Sequence, residues 1–325
     1  MQNPLRYFRC ALLCAVLGLI LPTSAWAQFS MIEDSSPRYE WRGRLETDFR
    51  TEFKTKTDGG DEFETWRVGL AGDFGGPINE SILLGVHTGY RYTHYEFHRN
   101  NPPNIPSVYG SSELPRDPWG AVNTFDITPS TTILVGDRFS VIAAVPIRYS
   151  GETGARRNGF AAGISSLVRW QVTDNFRFGV GIGVTSQLED DAETFPLVSL
   201  DWQITDSLDF HTEGSWMQGG NAMLVWGANK AIRLTVSGGY ERNRFRLDDN
   251  GFRSDRDGIG EVTAVPVEVG IRFRLYEGAF FDFRFGLGVA GELRVEDDDG
   301  RKLYEEDYDP APRLSLGLTL PFGLP

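Results

Sequence analysis

Cysteine is almost missing from this 325-residue chain: the two present, Cys10 and Cys14, both fall among the first fourteen positions. The rest can hold no disulfide framework, no thiolate metal centre and no cysteine nucleophile. Past the N-terminus there is no run of 18 apolar residues, so a helical membrane bundle is excluded. Positive charge is in deficit, with 32 Lys and Arg against 45 Asp and Glu, and a nucleic-acid partner is not expected. Phosphate-cradling and dinucleotide-binding glycine motifs are absent too, so no cofactor is expected. An averaged composition of 40% hydrophobic and 24% charged residues also rules out wholesale disorder.

The first 27 residues depart from that average. Arg6 and Arg9 precede an apolar stretch from Ala11 to Leu21, and Ala25-Trp26-Ala27 stands before Gln28. A positive n-region, a short apolar core and an A-x-A site describe a cleaved secretory signal. Its removal takes away two arginines and no acid, moving the net charge from −13 to −15, and takes both cysteines with it. The expected division is a signal peptide at 1–27, a short periplasmic segment at 28–38 and one folded unit at 39–325.

That unit is written in period two. Between 39 and 54 the odd positions read Tyr39, Trp41, Gly43, Leu45, Thr47, Phe49, Thr51, Phe53; the even ones are all ionisable, Glu40, Arg42, Arg44, Glu46, Asp48, Arg50, Glu52, Lys54. Such alternation is a strand with one greasy and one charged face. Residues 176–188 and 281–295 repeat it, and no helical stripe of similar length occurs. About fourteen such segments are predicted, near 39–54, 61–74, 82–97, 119–135, 139–150, 159–172, 176–188, 195–204, 208–217, 221–229, 231–246, 261–275, 279–296 and 311–322. Their connections alternate. Even-numbered segments end mostly in tight turns such as Gly136-Asp137-Arg138 and Thr205-Asp206-Ser207, whereas odd-numbered ones run into longer polar loops at 99–118, 151–158, 247–258 and 297–309.

A soluble sandwich turns its greasy face inward and has strands of about five or six residues. A transmembrane barrel turns that face to lipid, uses strands of about ten residues or more, and keeps short turns on one side and long loops on the other. Here the opposite parity offers charged residues, Gly, Thr and Ser but no second apolar set, so the all-β expectation is a transmembrane antiparallel β-barrel of about 14 strands, with 12 or 16 as alternatives. Aromatic residues near both strand ends fit interfacial belts: Tyr39, Trp41, Phe74, Trp170, Phe176, Trp202 and Phe322 at the short-turn end, and Phe53, Trp66, Tyr92, Trp119, Tyr149, Phe160, Trp216 and Tyr240 at the long-loop end.

The C-terminal stretch Ser315-x-Gly317-x-x-Leu320-x-Phe322, with Leu314, Leu316 and Leu318 on the same face as Leu320 and Phe322, resembles the assembly signal of Gram-negative outer-membrane β-barrel proteins. Gly323-Leu324-Pro325 follow the aromatic that usually ends that signal. The resemblance is to an uncharacterised, porin-like or transporter-like barrel. It implies export through the periplasm, insertion by the barrel-assembly machinery, contact with outer-membrane lipids and lipopolysaccharide, an even strand count and periplasmic termini.

Function then rests on the lumen, about 14 Å in backbone radius for fourteen strands. Arg42, Arg44, Arg50, Arg67, Arg91, Arg148, Arg169, Arg177, Arg272 and Arg284 fall on the lumenal parity beside Glu46. Guanidinium forks hold carboxylates bidentately and keep their charge. They suit either a pore for small anionic or zwitterionic solutes or an ion-pair lattice stiffening a closed barrel. A non-conducting scaffold, adhesin or receptor working through acidic loops at 189–193, 248–257 and 296–307 is the competing reading. No metal site is expected from those acids, which read as solvated. A lipid-acting enzyme built on His211, Glu213 and Ser215 is the weakest of the three, and the chain is read as no enzyme.

Overall fold

The computed structural model describes residues 41–98, 118–155, 159–215, 219–227, 229, 231–249 and 256–323, with the side chains of Asp190, Glu213, Gly214 and Ser215 left aside. The expected signal peptide and the 28–38 segment lie outside these residues.

Seventeen strand segments form one antiparallel sheet. In chain order they are β1 (Arg42–Lys56), β2 (Glu62–Asn79), β3 (Ile82–His98), β4 (Ala121–Val135), β5 (Phe139–Ala144), β6 (Ile147–Glu152), β7 (Phe160–Thr173), β8 (Phe176–Gln187) and β9 (Asp190–Thr205). There follow β10 (Leu208–Ser215), β11 (Gly219–Gly227), β12 (Ile232–Gly239), β13 (Glu241–Arg246), β14 (Ile259–Tyr276), β15 (Ala279–Glu296), β16 (Lys302–Tyr308) and β17 (Ala311–Gly323). Three staves are interrupted. β5 and β6 both pair with β4 and β7 across a break at Val145-Pro146, β12 and β13 both pair with β14 across Tyr240, and β16 and β17 both pair with β15 across Asp309-Pro310. Joining them leaves fourteen staves. β1 pairs with β17 from Arg42↔Gly323 to Glu52↔Arg313, which closes the sheet into a barrel.

The greasy parity faces outward, where Phe49, Val68, Leu70, Ile127, Ile164, Val180, Ile182, Val236, Val269 and Phe285 are all exposed. An exposed apolar band of this height is stable only against hydrocarbon. Ring pairs mark its rims. Trp41 stacks on Phe74, Phe139 on Trp170, and Phe176 meets Trp202 edge-on at the short-turn end; Trp66 meets Tyr92, and Tyr149 meets Phe160, at the other. Among the expected belt residues, Trp119 departs: it is 2% exposed and lies inside the barrel. Tyr39 and Trp216 fall outside the described residues.

Short turns are fixed by their own side chains. Asn79 Oδ1 accepts from the N–H groups of Ser81 and Ile82, and Asn229 Oδ1 does the same for Ala231 and Ile232, each at 2.8–2.9 Å. Gly278 sits at φ 75° in the Glu277-Gly278 turn, a conformation that a Cβ would strain. Pro129, an awkward residue for a ladder, lies beside the Val145-Pro146 break and accepts at its carbonyl from the Val145 N–H at 3.0 Å. Its missing N–H therefore falls where the neighbouring stave is already interrupted.

Two boundaries and one inference need correction. β9 starts at Asp190 rather than near 195, and β16 occupies 302–308 within what reads as a loop. The lumen also has its own apolar set. Ile142, Ala144, Leu167, Phe195 and Leu197 form one buried cluster, and Phe63, Tyr95, Trp119, Val122, Phe245, Leu247, Val262, Leu293, Val295, Tyr304, Tyr308 and Ala311 form a larger one. In β15 a one-residue parity change hides two members of the larger cluster from simple alternation. Ala290, at φ 50°, marks a register shift in β15, after which Leu293 and Val295 point inward on the parity that carries lipid-facing Phe283 and Phe285 below it.

Candidate functional site: the barrel lumen and its outer mouth

The lumen is lined by charge near the short-turn end. Arg44 pairs with Glu46 at 2.6 Å and Asp73 at 3.2 Å, while His87 joins Asp73 at 2.7 Å to Asp126 at 3.3 Å. Arg272 Nε donates to Asp282 Oδ1 at 2.7 Å, Arg284 stands 3.8 Å from Glu268, and Arg177 Nε donates to Gln171 at 2.7 Å. Arg148 and Arg169 are buried, and Arg91 lies opposite Gly69 and Thr124. Arg42, at the strand end, is exposed. On the last stave, Ser315 takes a hydrogen bond from Arg50 Nε at 3.2 Å and gives one to Glu268 at 3.3 Å. Gly317 lies opposite Asp48, Leu320 opposite Leu45, and Phe322 caps Gly43 and stacks on Phe74.

Midway up the barrel, Glu241 reaches across from β13 and pairs with both Arg50 and Arg313, and Arg313 also holds Glu52. Two guanidiniums and two carboxylates thus close a four-membered knot joining β1, β17 and β13. Glu241 was not among the expected lumenal residues. Its position follows from a signal that periodicity does carry: through β12 the even positions Leu234 and Val236 face lipid, yet past Gly238 and Tyr240 the same parity carries Arg242, Arg244 and Arg246. A strand cannot keep three guanidiniums on its lipid face. At Tyr240 it leaves the wall.

What leaves with it is a four-segment flap made of β13, the outer ends of β14 and β15, and β16. One face carries Phe245, Val262, Leu293, Val295 and Tyr304, which pack on Phe63, Tyr95, Trp119 and Val122 of the β2–β4 wall. Trp119 meets Phe245 edge-on at 5.3 Å, and Phe63 meets Tyr308 at 4.8 Å. The other face carries the three arginines. Arg242 and Arg244 share Glu261 at 3.0 Å, Arg244 also holds Glu296 at 2.6 Å, and the tip of the β8–β9 hairpin supplies Glu193 to Arg242 at 3.1 Å and Glu189 to Arg246 at 2.7 Å. The flap's far end reaches β6, where Arg246 bridges Gly151 and the Asp248 N–H donates to Glu152 at 3.1 Å. It therefore crosses the outer mouth, greasy on one side and ion-paired on the other.

The acids at 189–193 and 296–307 are accordingly not simply solvated. Glu189, Glu193 and Glu296 serve flap arginines, Arg294 takes Glu305 at 3.1 Å, and Glu306 is buried and accepts from the Tyr304 hydroxyl. In the β15–β16 turn, desolvation favours the neutral form of Asp297, but the N–H groups of Arg301 and Asp299 and the Arg301 guanidinium outweigh it and hold the carboxyl below its usual range.

Beneath the flap is a narrow cavity that opens to solvent. Arg50, Arg67, Arg313, Glu52 and Glu241 line one side, and Tyr95, Val262, Ala264 and Tyr308 the other. His211 pairs in the ladder with Met223 and Asp201; the side chains of Glu213 and Ser215 lie outside those described.

No protein-family model matches the chain, and no curated protein does. Solved structures do. The TodX monoaromatic hydrocarbon channel, in a deltaS2 mutant form, superposes with a TM-score of 0.50 at 9% identity over 93% of this chain and 97% of that one. An outer membrane channel from Pseudomonas putida F1 gives 0.46 at 10% identity over 89% and 97%, and the translocator domain of the autotransporter NalP from Neisseria meningitidis gives 0.34 at 11% over 90% and 91%. At such identities the likeness is one of fold. Closed sheet, lipid-facing belt and neighbours agree that the chain is an outer-membrane β-barrel protein.

Proposed function

We propose that this barrel is a gated channel for small solutes, its gate the flap across the outer mouth. The observation that carries the reading is the asymmetry of the flap's two faces. A sheet that served only as filler would bury apolar residues on both sides. This one instead meets the β8–β9 tip through Arg242 on Glu193, Arg246 on Glu189 and Arg244 on the Leu188 carbonyl, and contacts to carboxylates that water reaches release at low energetic cost. Below it the lumen is polar and charged, as a solute path through lipid requires.

Single-channel recording in a planar bilayer tests this. The native barrel is expected to be mostly closed with brief openings, and the double variant Arg244→Ala, Arg246→Ala to stay open at least several-fold longer. Silence from both proteins would discard the channel. It would favour a non-conducting barrel that works through its outer loops, a reading supported by the tight filling of the mouth by the larger apolar cluster.

A further inference from the structure

At the short-turn mouth of the lumen, far from the flap, three guanidiniums converge on one ring. The Cζ atoms of Arg272, Arg233 and Arg274 lie 5.6, 5.8 and 5.9 Å from the centroid of Phe280. The ladder puts them there. Arg274 stands directly across from Phe280, and Arg272 directly across from Arg233 on β12 and from Asp282 on β15, all on the lumenal parity, while Leu234 and Phe273 between them turn to lipid. Arg233 against Arg272 is a like-charge pairing, which costs free energy unless negative charge stands close. Asp282 is engaged already, its Oδ1 accepting from Arg272 Nε at 2.7 Å. Glu46, the next lumenal acid along this row beyond Thr319, is held by Arg44 at 2.6 Å. Arg274 is exposed and makes no ion pair among the described residues, and neither does Glu277, exposed in the turn below.

The ring holds these cations in a way that suits a ligand. A guanidinium stacked on an aromatic ring is fixed through its face, whereas its hydrogen bonds to an oxyanion run along its edges. We infer that this mouth is a docking site for a small oxyanion, its oxygens borne by carbon or by phosphorus, gripped by Arg274 and Arg233 beside Phe280. Thr319, directly across from Phe280 on β17, adds a hydroxyl to the same face. An anion placed there relieves the repulsion between guanidiniums that the ladder brings together, and the open mouth admits it whatever the state of the flap. The inference rests on the channel reading, to which it adds the class of solute met at the short-turn side.

The test is phosphorus NMR of inorganic phosphate titrated with the refolded barrel in chloride buffer and a detergent without phosphorus. The phosphate line is expected to broaden with the native barrel, to sharpen again when malonate is added, and to stay sharp with the double variant Arg233→Gln, Arg274→Gln. Phe280→Leu keeps every charge and removes the ring, and should weaken phosphate binding about fivefold. No broadening by the native barrel, broadening that malonate leaves untouched, or binding undiminished in either variant would overturn the site. Should the double variant fail to fold, Arg274→Gln alone changes an exposed position, and undiminished binding there would overturn the site as well. A barrel that binds phosphate yet stays silent in bilayers, even without its flap arginines, would remove the channel and keep the site; conduction without phosphate binding would do the reverse.

Discussion

Arg313 shows what a single side chain does at the closing seam. It is 2% exposed and holds Glu52 and Glu241 at once, so removing it strands Glu52 and leaves Glu241 with Arg50 alone in a site of low dielectric. Arg313→Ala is expected to lower stability by about 3–5 kcal/mol, read as a lower urea midpoint for the barrel folded in detergent. Arg313→Lys should recover only part, since an ammonium cannot grip two carboxylates in a planar fork. A midpoint unchanged in the alanine variant would show the knot to be electrostatically idle. Arg313 and Glu52 were readable from parity alone as lumenal residues. The fourth member, Glu241, shares that parity, but its meeting with Arg50 and Arg313 was not readable, because it comes only after the strand has left the wall, and no rule of alternation reports a distance across a lumen.

For the elements, the flap is where local pattern and global shape part company. β13 is a good strand by sequence, and 231–246 reads as one continuous stave; what breaks it is the arrival of Arg242, Arg244 and Arg246 on the lipid parity. The fourteen-stave count and the lipid face were legible because lipid imposes one rule on every stave. The plug was not, because its apolar residues come from β2, β3, β4, β13, β14, β15, β16 and β17 in ones and twos, below the level at which any one segment looks like core. Phe245, fully buried between Tyr95 and Trp119, anchors it. Phe245→Ala should cost about 3–5 kcal/mol of local packing and raise the open probability in planar bilayers. A variant as closed as the native barrel would mean that the ion-paired face alone holds the flap.

Taken whole, the molecule is a cylinder whose circumference is complete only when residues more than 260 positions apart are paired, as Glu52 and Arg313 are. Purified mature protein is expected to give far-ultraviolet β-sheet dichroism in detergent and to shift its electrophoretic mobility on boiling; a mobility indifferent to heat would contradict a closed barrel. Phe322, exposed at the rim and stacked on Phe74, is expected to matter for insertion, so Phe322→Ala should reduce the membrane-inserted fraction more than Leu324→Ala, and equal losses would detach insertion from that aromatic. The seam has a second consequence, for the time before it exists. Until β1 meets β17, each is the free margin of an unfinished sheet, with a row of backbone N–H and C=O groups open to any other chain. β1 presents Glu46, Asp48, Arg50 and Glu52 along that margin, and β17 presents Arg313. Burying those charges in a wrong partner would leave them unmatched, whereas the correct closure gives Arg313 to Glu52 and Ser315 to Arg50, so the residues that lock the finished cylinder also discourage aggregation while it is being made.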